Sequence, residues 1–129
     1  MYSIQKEFSF SAAHFLRGLP PTHPCARMHG HNYTVRIEIQ TQEVDEVGFV
    51  LDYRELDGFK DVVDTAFDHQ CINDVVDFNP TAENIAQYLF NLVNVALSAR
   101  LKAVHKRYAI VVHVSETPKT WASYTEVSA

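Results

Sequence analysis

Two alternating stretches near the N-terminus constrain the fold more than any other feature of the chain. From Tyr2 to Phe10, the residues Tyr2, Ile4, Lys6, Phe8 and Phe10 fall on one side, with Ser3, Gln5, Glu7 and Ser9 on the other. From Tyr33 to Gln42, Val35, Ile37 and Ile39 oppose Thr34, Arg36, Glu38 and Gln40. A period of two is the signature of a strand with one face buried. The small residues Ser11-Ala12-Ala13 ahead of His14 let a neighbouring backbone come close. Between the two strands, Leu16 to Met28 reads as a loop, broken by Pro20-Pro21 and Pro24. Two such strands joined by a loop predict an antiparallel sheet covered on one side.

The cover follows in the middle of the chain. Gly48-Phe49-Val50-Leu51 is a short apolar segment. Asp52, with Glu55 three residues on, predicts the start of a helix. Its apolar stripe is Leu56, Phe59, Val62, Val63, Ala66 and Phe67, and it ends near Asp68-His69-Gln70. A connector from Cys71 to Pro80 leads to a longer helix, capped by Thr81, with Glu83 favourably placed in its first turn. Ile85, Tyr88, Leu89, Leu92, Ala96 and Ala99 are its expected buried face. Tyr108 to Ser115 is a third strand ended by Glu116, and Thr117-Pro118-Lys119-Thr120 turns into a fourth, Trp121 to Val127. The order ββααββ predicts an α+β domain: a four-stranded antiparallel sheet with two helices packed on one face. That leaves the other face open, with Val111 and Trp121 on it, which points to burial against further subunits.

Length and charge narrow the function classes. A chain of 129 residues is expected to be one domain, residues 1–129. No apolar run approaches the roughly 20 residues that span a bilayer, and the N-terminal residues lack a signal-peptide pattern. The expected location is the cytoplasm, where Cys25 and Cys71 stay reduced. A net charge of −5 with no basic cluster longer than Lys106-Arg107 argues against nucleic acid as a partner.

The chemistry concentrates in Cys25-Ala-Arg-Met-His29-Gly-His31. On a strand, His29 and His31 point to one face, and His14 closes the preceding strand. If the two strands are neighbours, three imidazoles converge. Three neutral histidines suit Zn2+ and leave a fourth position for water or substrate; with Cys25 in that position the site would be closed and structural. A thiol beside a metal centre loses its proton below the free value of about 8.5 and becomes a nucleophile or base. Asp68-His69 is either a pair in which the carboxylate orients the imidazole or a helix-end histidine facing the dipole. Glu116 is either a solvated loop carboxylate or an acceptor for a paired, amidine-like N–H edge such as guanine and pterin rings offer. His105 and His113 read as structural or surface residues, and Cys71 as space-filling; His23 has no partner at a recognisable spacing.

These residues together resemble the 6-pyruvoyl-tetrahydropterin synthase / 6-carboxy-tetrahydropterin synthase family over nearly the whole chain. The resemblance rests on Phe-Ser-Ala-Ala-His14, Cys25-Ala-Arg-Met-His29-Gly-His31-Asn-Tyr, Phe-Val-Leu-Asp-Tyr-Arg-Glu-Leu, Asp68-His69, Asn-Pro-Thr81-Ala-Glu83-Asn and Val-Ser-Glu116-Thr-Pro. It implies the tunnelling fold, in which trimers close their sheets into a barrel and two trimers stack as a homohexamer with pterin sites at subunit boundaries. Carried over by position, His14, His29 and His31 would hold zinc, and Cys25 would be the catalytic base. His69 and Asp68 would relay protons, Glu116 would anchor the pterin ring, and Thr81 and Glu83 would lie near its pocket. The three-residue spacer between Cys25 and His29 is similar to that of the bacterial 6-carboxy branch, which feeds 7-deazaguanine and queuosine synthesis. Gln70 departs from members that carry a second histidine after the relay pair. The implied reaction converts 7,8-dihydroneopterin triphosphate to 6-carboxytetrahydropterin, acetaldehyde and triphosphate. The alternatives are the 6-pyruvoyl product of the tetrahydrobiopterin-type pathway and a non-enzymatic zinc or pterin binder. Arg17, Arg27 and Lys119 are loop cations available to a triphosphate.

Overall fold

The computed structural model describes residues 1–127, so residues 128 and 129 of the expected domain lie outside the described residues. Four strands, β1 (Tyr2–His14), β2 (His29–Thr41), β3 (Tyr108–Thr117) and β4 (Thr120–Val127), form one antiparallel sheet in chain order. Helices α1 (Gly58–Ala66), α2 (Ile72–Val75) and α3 (Ala82–Val104) connect β2 to β3. The α+β architecture read from the sequence holds, with a single-turn helix added in the connector at Ile72, which is fully buried. No helix among the described residues is long and apolar enough to cross a membrane.

Register explains the core. Phe8 pairs with Val35, Phe10 with Tyr33, Val35 with Val114, and Val112 with Tyr124. Even positions of β1 therefore share a face with odd positions of β2 and even positions of β3. On that face Phe10 stacks on Tyr33 at 4.8 Å and on Phe67 at 5.4 Å, joining the sheet to the end of α1. Helix α3 covers the same face with Ile85, Leu89, Val93, Leu97 and Leu101, all buried. The far face holds a polar cluster around Glu38, which accepts hydrogen bonds from Ser3 (2.6 Å), Gln40 (3.0 Å) and His113 (2.7 Å). Burial alone would raise the Glu38 pKa, but these donors hold it below the ordinary glutamate value. Arg36 on that face lies 4.3 Å from the centre of the Trp121 ring and pairs with Glu7.

Several element boundaries differ from the sequence reading. Both N-terminal strands run further: β1 continues through the small residues to His14, and β2 begins at His29. Strand β3 extends past Ser115, so Glu116 lies within it. The helix expected at Asp52 starts later. Asp52 caps a 3-10 turn, Tyr53–Leu56, by accepting from the Arg54 N–H, and α1 begins at Gly58. Glu55 does not complete a capping box; it pairs with Arg100 of α3 at 2.9 Å. On α3, Leu92, Ala96 and Ala99 are exposed, because the buried face advances in steps of four from Ile85 to Leu101. Thr81 caps α3 as expected, accepting from the Asn84 N–H at 3.1 Å.

Two measurements follow. In denaturant titrations Leu97→Ala should cost about 2–5 kcal/mol, a large-to-small change in the core. Leu92→Ala, on the solvent side of the same helix, should stay within about 1 kcal/mol of the parent. Because the folded-state pKa of Glu38 is depressed, its contribution to stability is complete above the unfolded value of about 4.3. That contribution is lost as pH falls through the folded value, so Glu38→Gln should flatten the acid limb of a stability-versus-pH curve.

Candidate metal centre and its surroundings

The core face of the sheet turns polar at one end. Along β1 the inward positions run Phe8, Phe10, Ala12, His14; along β2 they run Val35, Tyr33, His31, His29; along β3 they run Val112, Val114, Glu116. Register sets His14 opposite His29 and Ala12 opposite His31. The small side chain of Ala12 leaves room for three rings, which meet nearly edge to face at centroid separations of 4.6, 4.8 and 5.1 Å. The ligand atoms of His14, His29, His31 and Glu116 all lie within 4.8 Å of one another.

Backbone carbonyls fix the tautomers. The Nδ1–H of His14 donates to the Pro80 carbonyl at 2.8 Å, and that of His29 to the Arg27 carbonyl at 2.7 Å. With the hydrogen on Nδ1, each imidazole turns its Nε2 lone pair inward, and these two nitrogens stand 3.1 Å apart. The carboxylate of Glu116 adds an acceptor at 3.2 Å from His14 Nε2 and 3.0 Å from His31 Nε2. His31 Nε2 is buried and, although 3.0 Å from the Glu116 carboxylate, is not aligned for a hydrogen bond with it. With the hydrogens of His14 and His29 on Nδ1, their facing Nε2 atoms and the Glu116 carboxylate are electron-pair donors that a cation among them would satisfy. Ligands about 2.0–2.1 Å from a tetrahedral zinc ion stand about 3.3 Å apart, close to the observed spacing. The donor set therefore fits a metal ion.

Electrostatics agree with this reading. Burial lowers the His31 pKa, keeping the ring neutral, against a raising effect from Glu116. The Glu116 pKa is lowered from the ordinary glutamate value, the largest cause being the hydrogen bond that a proton on His14 Nε2 would make; a metal ion in the cradle takes the place of that proton. Tyr33 continues the inward series His29, His31, and its hydroxyl lies 3.1 Å from His14 Nδ1. Burial, reinforced by Glu116, raises the phenol pKa and keeps it protonated. The spacing 29, 31, 33 carried this signal in the sequence; the part played by the Pro80 carbonyl had none.

The other predicted residues lie around this centre. Cys25 is outside the converging group, whose fourth member is Glu116. Its backbone sits in a 3-10 turn, Pro24–Ala26, and its N–H donates to His23 Nδ1 at 3.0 Å, which gives His23 a local role. Both thiols are free, and Cys71 lies 3.7 Å from the Met28 sulfur. Asp68 and His69 do pair, Oδ2 to Nδ1 at 3.0 Å, but the His69 side chain is 84% exposed and its φ is 59°. The second oxygen of Asp68 accepts from the Ser11 N–H, the main reason its pKa is lowered. Glu83 and Glu116 line a cleft of about 380 Å³ together with Ala82, Val114, Thr120 and Ala122. Thr81 is engaged as a helix cap, and the Arg17 guanidinium donates to the Asp77 carbonyl. His105 donates from Nε2 to the Val50 carbonyl and His113 pairs with Glu38, so both serve the fold.

The fold and site define an α+β protein with a three-histidine metal cradle set at the end of an antiparallel sheet. The family model described as 6-pyruvoyl tetrahydropterin synthase matches residues 3–127, and the chain belongs to that family. It is 32% identical to 6-carboxy-5,6,7,8-tetrahydropterin synthase of Bacillus subtilis, over 95% of this chain and 84% of that one. A putative 6-carboxy-5,6,7,8-tetrahydropterin synthase of Archaeoglobus fulgidus is 35% identical, over 88% and 87%. The solved structure of Caenorhabditis elegans 6-pyruvoyl tetrahydropterin synthase superposes with a TM-score of 0.73 at 28% identity, covering 99% and 96%.

As pH falls through the imidazole range, protons compete for the ligating nitrogens, so metal uptake should weaken and begin to release protons. Calorimetry of zinc binding in two buffers of different ionisation enthalpy reads the proton count directly. His31→Ala should lower the affinity by more than about 100-fold, beyond the 10–100-fold typical of losing a mere supporting contact.

Proposed function

We propose that this protein is a zinc-dependent 6-carboxy-5,6,7,8-tetrahydropterin synthase, acting on 7,8-dihydroneopterin triphosphate with release of acetaldehyde and triphosphate. The observation that carries the reading is the convergence of His14, His29, His31 and Glu116, with bare Nε2 atoms at 3.1 Å. His14, His29 and His31 would hold the ion. When bound, zinc supplies Lewis acidity at the substrate's side-chain hydroxyls.

The chain's own residues do the rest. Glu116 sits between the histidines and the cleft that it shares with Glu83, so its carboxylate is placed to receive the N–H edge of a pterin ring. That anchoring makes the subsequent proton transfers effectively intramolecular. Cys25 takes a proton from a side-chain carbon as the base, and His69, held in one tautomer by Asp68, gives or removes others. The exposure of His69 and the free sheet face support a relay working at a subunit boundary in a homohexamer built from two trimers. Thr81 and Glu83, at the start of α3, border the ring pocket. The setting is cytoplasmic, with no nucleic-acid partner, in the 7-deazaguanine and queuosine pathway.

The names of the Bacillus and Archaeoglobus relatives and the short Cys25-to-His29 spacer support the 6-carboxy product. The Caenorhabditis structure, matched over nearly its whole length, favours the 6-pyruvoyl product as the second reading. A closed site with Cys25 as a ligand has less support, because Cys25 lies outside the converging group.

The test is turnover of dihydroneopterin triphosphate by the purified protein, with products identified by mass spectrometry. Zinc-dependent turnover with acetaldehyde release is expected. Cys25→Ala should lower kcat by about 100-fold or more, the scale of a lost general base. Absence of turnover in the zinc-loaded protein, or unchanged turnover in Cys25→Ala, defeats the reading; a 6-pyruvoyl product moves it to the second one.

A further inference from the structure

Past His14 the chain leaves the sheet, yet its backbone remains paired. Phe15 donates its N–H to Asn73 Oδ1 at 2.9 Å and accepts from Asn73 Nδ2 at 2.9 Å. Two residues on, Arg17 donates to Asn79 Oδ1 at 2.8 Å and accepts from Asn79 Nδ2 at 3.0 Å. A primary amide carries a donor and an acceptor in the arrangement of a peptide group, so each asparagine takes the place of a strand residue. The residue between them faces the opposite way: the Leu16 N–H donates to the Cys25 carbonyl at 2.8 Å. Cys25 is thus held through both its backbone groups, by Leu16 on one side and His23 on the other.

We propose that Asn73 and Asn79 are positioning residues for the Cys25 thiol. They fix Phe15 and Arg17, which fixes Leu16, which sets the height of the turn Pro24–Ala26 that carries Cys25. Neither asparagine is drawn on by the metal centre, whose His14 is held separately by the Pro80 carbonyl. Both are partly buried, so an unpaired amide or backbone group there is not freely replaced by water. The residue type is explained as well. Aspartate at either position keeps the acceptor, loses the donor and sets a carboxylate against a backbone carbonyl. Alanine loses both. The proposal rests on the reading of Cys25 as the base, and its test is chosen to stand apart from that reading.

The experiment compares the native protein with Asn73→Asp, Asn79→Asp and Asn79→Ala. Alkylation of Cys25 by iodoacetamide is followed against pH, with peptide mass spectrometry separating Cys25 from Cys71. The expected result is a changed rate and a changed pH midpoint at Cys25 in all three, largest for Asn79→Ala, with the zinc stoichiometry of the native protein. In turnover, kcat should fall about tenfold or more, since small misplacements of a reacting group are costly. KM should stay within about twofold in Asn73→Asp, which leaves the bonds that hold Arg17 in place. A native Cys25 profile in the folded variants overturns the proposal. Should the variants fail to fold, hydrogen exchange in the native protein decides it. Slow exchange of the Asn73 and Asn79 side-chain amides and of the Leu16 N–H supports the clamp; exchange at the rate of free amides overturns it. A native protein without turnover defeats the functional reading alone, and the alkylation comparison still judges the clamp.

Discussion

The pairing register of β1 with β2 is the constraint on which the rest of the molecule depends. It places His14 across from His29 and Ala12 across from His31. A slip of one residue would turn His14 and the whole apolar series Phe8, Phe10, Ala12 to the opposite face. The core and the ligand cluster therefore share one specification. The stacked rings of Phe10, Tyr33 and Phe67 hold the register at its middle, and the histidines occupy the last inward positions of the same rows. The hydrophobic effect, which has no chemistry of its own to offer, aims three imidazoles at one point.

A second device secures the outer edge of β1. Ser11 is held by the Asp68 carboxylate and the His69 N–H, and Ala13 by the Gln70 carbonyl. Phe15 and Arg17 continue the series with Asn73 and Asn79. Four alternate residues of one edge are thus laced to a single segment, residues 68–79, and Pro80 at its end holds the His14 ring. The lacing occupies the outward N–H groups of Ser11, Ala13, Phe15 and Arg17, which another strand would otherwise recruit. It also sets the Asp68–His69 pair, the thiol loop and a ligand histidine on one piece of backbone.

Much of this was legible in the sequence because it depends on periodicity. The alternation of β1 and β2 contained the face on which His14, His29 and His31 lie, and the same alternation from Ile110 to Val114 reaches Glu116. The helix stripes gave the layer order. What was hidden is what lacks a repeating signal. The α3 face rotates away from Leu92 and Ala96 because both i+3 and i+4 steps are helical neighbours, and only packing chooses between them. Asp52 made a real cap, but on a 3-10 turn, since the side-chain-to-backbone bond is the same for either helix. The parts played by Asn73, Asn79, His23 and the Pro80 carbonyl depend on contacts over long or irregular chain separations, for which one sequence offers no template.

The lacing also divides the chain by its tolerance of changes in length. Between Arg17 and His23, residues 18–22 are exposed, and Gly18 already adopts a left-handed backbone with open space around it. Added residues there would lengthen a surface loop, for which each doubling adds only about 0.6 kcal/mol. Between Gln70 and Thr81 the same addition would throw every successive bond to β1 out of step, and with it the thiol loop and the His14 ring. Variation in loop length is thus channelled to the exposed residues 18–22, while the segment 70–81 is held to a fixed count of residues.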